Sequence, residues 1–127
     1  MKIPEKLSQK NIEKLCSLVN AVQINIEPIL YGERMNNYGQ MVQEECMASI
    51  EGNIYEPPEN FKVALSYNWD NMPQTLVHEC THIMFPYIDD SVYLTDIDKL
   101  EILFWNEPLV RKVARERLID VLGKHKL

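Results

Sequence analysis

Apolar residues recur at helical spacing near the start of the chain. Ile12, Leu15, Cys16, Leu18 and Val19 share one face and predict an amphipathic helix from about Ser8 to Val22, with the Ser8 hydroxyl as its cap. The period then shortens. "VQINIEPIL" alternates as a strand does, up to Pro28, and residues from about Tyr38 to Tyr55 predict one or two further strands, interrupted near Gly52-Asn53. "PPEN" reads as a turn. "FKVALSYN" places Phe61, Val63, Leu65 and Tyr67 on one face and is the clearest strand pattern of the chain.

Helical spacing returns in "NMPQTLVHECTHIMFP", residues 71–86. Asp70 or Asn71 can cap this helix, Pro73 is tolerated in a first turn whose N–H groups lack partners, and Pro86 ends it. "YIDDSVYLTD" reads as a connection. A further helix is expected from Thr95, with Asp98 three residues on as a capping acid. Asn106-Glu107-Pro108 then launches a last helix reaching Gly123. Its apolar stripe is Val110, Val113, Ala114, Leu118 and Val121, with Arg111, Lys112, Arg115 and Arg117 turned to water. Helix, small sheet, then two or three helices predict an α+β fold in a single domain over residues 1–127.

Composition narrows the classes. With 46% hydrophobic and 25% charged residues the chain is that of a globular protein. No apolar run approaches the length of a membrane span, and the N-terminus carries no apolar signal core. Three cysteines, Cys16, Cys46 and Cys80, form no CxxC pair and fit a reducing compartment, so a cytoplasmic protein is expected. Residues 31–106 hold thirteen acidic and three basic side chains, which argues against nucleic acid as a partner. The basic excess after residue 107 reads as a solvated helix face. No feature fixes an oligomeric state.

The 71–86 helix contains His78-Glu79-Cys80-Thr81-His82, an H-E-x-x-H motif. At about 100° per residue, His78, His82 and Thr75 fall within about 60° of one another, and Glu79 lies about 100° round from His78. Leu76, Val77, Cys80, Ile83 and Met84 take the other side, so Cys80 points into the core and the helix can present imidazoles from its front. Two neutral imidazoles are ligands for one Zn²⁺, whose catalytic sites use three protein ligands and a water. Glu79, beside the first ligand, is the expected general base and then acid.

The third ligand has to come from downstream. The longer H-E-x-x-H-x-x-G-x-x-H form fails, since Phe85 and Ile88 occupy its glycine and last histidine positions. Asp89 and Asp90 fall in the connection, Asp98 has a capping role, and His125 lies in the tail. Two glutamates are left open. Glu101 sits in an apolar row with Ile97, Phe104 and Trp105, where an unpaired carboxylate is costly. Glu107 opens the last helix, where a carboxylate suits the positive end of the dipole. Tyr87 and Tyr93 are further candidates, as oxyanion donors or as half-buried packing residues.

From His78 to about Leu122 the sequence resembles the small zincin-like metallopeptidases common in phages and bacterial genomes, distant relatives of the ImmA/IrrE-type peptidases. The resemblance rests on "HECTHIMFP" and on "EPLVRKVARERL", where Glu107, Val110, Val113, Ala114 and Leu118 fall on an E-x-x-V-x-x-φ-A-x-x-L pattern (φ apolar). It implies a minimal zincin-like domain with one zinc ion on His78, His82 and Glu107.

The expected function is therefore zinc-dependent hydrolysis of peptide bonds in a peptide or protein substrate, with Glu79 as general base. That substrate is expected to lie along an exposed sheet edge, nearest at "FKVALSYN". A zinc-bound but catalytically idle interaction module is the alternative, and a metal-free interaction protein is the third reading.

Overall fold

The computed structural model describes residues 6–53, 55–86, 88 and 96–125. Helix α1 (Gln9–Ala21) begins where the pattern predicts. The Ser8 hydroxyl accepts a hydrogen bond from the Asn11 amide at 3.2 Å and so satisfies one of the helix's unpaired N–H groups. Ile12, Leu15, Leu18 and Val19 form its buried face. Strand β1 (Gln23–Glu27) follows almost at once and stops before Pro28.

The next strand was not legible. β2 (Leu30–Met35) pairs antiparallel with β3 (Met41–Cys46) in a separate two-stranded sheet. Its side chains are half-buried or exposed along the whole strand, so no core face imposes an alternation that could be read. The turn is held by polar chemistry instead. The Asn36 side-chain oxygen accepts from the amides of Tyr38 and Gln40, both at 2.9 Å, and Gly39 takes the positive φ of 75° that closes the loop.

β4 (Ala48–Glu51) and β5 (Lys62–Ser66) complete the main sheet, whose order is β1-β5-β4. β5 runs parallel to β1, with Ile24 beside Val63 and Ile26 beside Leu65. It runs antiparallel to β4, with Ala48 beside Leu65 and Ile50 beside Val63. This corrects the expectation that "FKVALSYN" offers an exposed edge. β5 is the central strand, paired on both sides, which is why Val63 and Leu65 are fully buried. Among the described residues the free edges belong to β1 and β4. β4 ends at Glu51, where the alternation broke, and the next position takes a glycine because a Cβ at Gly52 would lie 2.4 Å from the Phe61 ring.

Helix α2 (Met72–Met84) carries the H-E-x-x-H motif and lies against α1, α3, α4, β4 and β5. Its back is as the sequence implied: Leu76, Val77 and Cys80 are completely buried. Asn71 occupies the cap position with helical backbone angles and no side-chain cap bond, and Pro73 falls in the first turn. The buried Thr81 hydroxyl donates to the Val77 carbonyl at 2.7 Å.

α3 (Asp96–Trp105) buries Ile97, Leu100 and Phe104. The expected start at Thr95 lies outside the described residues. α4 (Pro108–His125) buries Val110, Ala114, Leu118 and Val121, and runs two residues past Gly123. Two of its basic residues do not simply face water. Arg117 donates to the carbonyls of Val19 (3.3 Å) and Val22 (3.0 Å), groups the C-terminal end of α1 leaves without helical partners. Arg111 donates to the Trp105 carbonyl across the α3–α4 turn. The fold is α+β, as the order of elements predicts. Among the described residues no helix is long and apolar enough to cross a membrane.

Candidate metal centre

The front of α2 and the first turns of α3 form one polar cluster. His78 and His82, one helical turn apart, bring their Nε2 atoms to 3.1 Å, with the rings steeply inclined at 75°. The other nitrogen of His78 is held from α3: Nδ1 lies 2.5 Å from Glu101 Oε1 and 3.6 Å from Asp98 Oδ1. Gln74 donates from Nε2 to the second Glu101 oxygen at 2.8 Å. Glu101 is thus gripped by two residues of α2, one turn apart. Its side chain is only 16% exposed, which answers the cost of placing a carboxylate in an apolar row.

The electrostatics follow from these contacts. His78 is pushed above its ordinary pKa, chiefly by its hydrogen bond to Glu101. Burial opposes that shift, while the charges of Glu101, Glu79 and Asp98 add to it. Cys80 behaves differently. Its thiol is completely buried on the back of α2 and is held far above the ordinary thiol range by that burial, so it stays protonated.

Of the residues singled out in the sequence, His78, Glu79 and Glu101 come together, and His82 meets His78 without lining the same cleft. His78, Glu79, Asp98 and Glu101 line a single cleft of about 430 Å³ that reaches Met47 and Ala48 at β4. His78, Asp98 and Glu101 can each offer an atom within 4.8 Å of the others, a grouping able to hold a metal ion. Glu107 is not part of that group. It is half-buried in the α3–α4 turn, where its amide donates to the Phe104 carbonyl and its own carbonyl receives the Arg111 amide. Nor is it among the carboxylates whose charge reaches His78. Tyr87, Asp89, Asp90 and Tyr93, and the side chain of His125, lie outside the described residues.

Two participants were missed. Gln74 stands four residues before His78, the spacing that puts side chains on one helix face, and that signal was available. Asp98, read as a capping residue, faces His78 from the first turn of α3. It precedes Glu101 by three residues, again a same-face spacing.

The donor chemistry fits a divalent metal. If Nδ1 of His78 donates to Glu101, its Nε2 carries a lone pair towards the Nε2 of His82. The Nε2 of His82 can either donate its proton to that lone pair, as a neutral tautomer, or turn a lone pair of its own to a shared metal ion. With metal–nitrogen bonds of about 2.0–2.1 Å, two imidazoles on one tetrahedral ion have their nitrogens about 3.3 Å apart, close to the spacing found. No protein-family model, curated protein or solved structure matches the chain.

Proposed function

We propose that the protein is a zinc-dependent peptidase of the zincin-like kind, cleaving peptide bonds in a peptide or protein substrate. The observation that carries this reading is the pair of imidazole nitrogens on α2, facing each other beside a carboxylate cluster and next to Glu79. Two imidazoles with a carboxylate suit Zn²⁺. His78 and His82 would hold the ion through their facing Nε2 atoms, and Glu101, bonded to the other nitrogen of His78, would orient that ligand. A zinc ion held there would supply an acidified water molecule and a Lewis acid for the carbonyl of the bond to be cut.

The chain's own residues supply the rest. Glu79 shares the cleft with His78, and its carboxylate takes a proton from the attacking water and returns it to the departing amine nitrogen. Gln74 keeps Glu101 from rotating, and Glu101 fixes the tautomer of His78. An extended substrate lies along β4, whose residue Ala48 and its neighbour Met47 line the cleft and whose outer edge pairs with no strand among the described residues. Three free thiols support a reducing compartment such as the cytoplasm.

The test measures metal content and cleavage of a peptide library by wild type and Glu79→Gln. About one zinc per chain in both, with cleavage by wild type alone, is the expected result. Less than about a tenth of a zinc per chain after reloading sinks the metal reading. Equal cleavage by both proteins sinks the general-base role. Zinc without cleavage in either leaves a binding module.

A further inference from the structure

A second cavity, of about 310 Å³, adjoins the metal-centre cleft and shares Met47, Asn71 and Thr75 with it. Its lining includes the exposed apolar side chains of Ile29, Met47 and Tyr67, which are 47%, 52% and 52% exposed. Its lining among the described residues contains one charged side chain, Glu45, from β3. Its size lies at the lower end of ligand pockets, which suits one side chain better than a cofactor.

Position adds to this. Thr75 stands about one helical turn, roughly 5.4 Å, from His78 and Glu79. An extended peptide advances about 3.3 Å per residue, so a chain whose scissile bond sits at Glu79 puts a side chain one or two residues away over this cavity.

We propose that this cavity is a specificity pocket for a lysine or arginine side chain one or two residues from the scissile bond, its stem against Ile29 and Tyr67 and its charged head at Glu45. The inference rests on the peptidase reading for the meaning of "scissile bond". The pairing follows from chemistry: long basic side chains bury an aliphatic stem while keeping the charge at a polar rim. The wider field has the same sign, since residues 31–106 carry thirteen acidic and three basic side chains.

The experiment compares peptides differing at one position, lysine against norleucine, which keeps the stem and removes the charge. With zinc-loaded protein, kcat/KM is expected to favour lysine by about tenfold, the worth of a hydrogen bond to a charged group. Glu45→Gln brings that ratio close to one, and Glu45→Lys inverts it. A second arm follows binding of the same fluorescent peptides to Glu79→Gln protein by anisotropy, so it needs no turnover. Lysine-selective binding that depends on Glu45, without cleavage by wild type, upholds the pocket and removes the peptidase reading. Cleavage with no lysine preference, or a preference untouched by both Glu45 variants, overturns the pocket and leaves the peptidase reading standing. Absence of both cleavage and lysine-selective binding overturns both.

Discussion

Glu101 Oε1 lies 2.5 Å from His78 Nδ1, so a carboxylate of α3 is fastened to the first histidine of the α2 motif. Glu107, six residues further along, has no such contact with His78 and occupies the turn into α4. Glu101→Ala is therefore expected to weaken zinc binding, by about 10–100-fold if it only orients His78 and by more if it is itself a ligand. Glu107→Ala is expected to stay within about threefold of wild type. Competition against a chelating dye reads both, and the opposite ranking would make Glu107 the acid of the site.

Removing the Glu79 carboxylate without changing its shape separates holding the metal from using it. Glu79→Gln should bind zinc as wild type does and lose about 10²–10⁴-fold in kcat. A kcat within threefold of wild type, at equal zinc content, contradicts the role given to Glu79.

In the metal-free protein His78 should titrate above its ordinary value near 6.5, because the bond to Glu101 favours the imidazolium more than burial opposes it. A folded pKa above the unfolded one sets the sign. The stabilisation from His78 is fully present below about pH 6.5 and is lost as pH rises through the folded value. Ring-proton NMR titration checks this directly. Glu101→Gln should lower the His78 pKa, since burial then acts with less opposition, and an unchanged value would dissociate the two residues.

Arg117 offers a test of the scaffold away from the site. Its guanidinium donates to Val19 and Val22 at the end of α1, and hydrogen bonds to charged groups are worth about 1.5–3 kcal/mol each. Arg117→Ala is expected to lower unfolding stability by about that amount, read as a fall in the urea midpoint at constant slope. Loss below about 0.5 kcal/mol would mean that solvent replaces the guanidinium without cost.

The elements with a buried face were legible because burial imposes a period. α1, β5 and α2 each present a stripe that the core requires, and the Ser8 cap marks a boundary in chemistry as well as pattern. β2 presents no such face and left no trace. The histidine pair was legible because both members sit on one helix, whose geometry is fixed within a few residues. Glu101 was legible only as one of two candidate acids, because its approach to His78 depends on how α3 packs on α2, and spacing along the chain carries no information about that angle. The resemblance to zincin-like peptidases rests on Glu107, which is easy to notice because it stands directly before the last helix. The central place of β5 is likewise a property of pairing across 39 residues, from Gln23 to Lys62.

The hydroxyl of Ser66, at the end of β5, accepts from the Leu30 amide at 3.0 Å and donates to the Cys46 carbonyl at 2.7 Å. One side chain thus clasps both feet of the β2–β3 hairpin at its base. From the feet outward the two strands pair with each other in a sheet of their own, so the length and tip sequence of the hairpin can vary while the base, with Glu45 and Met47, keeps its place beside the cleft. An arm anchored in this way is where such a scaffold can acquire new surface without retuning its chemistry.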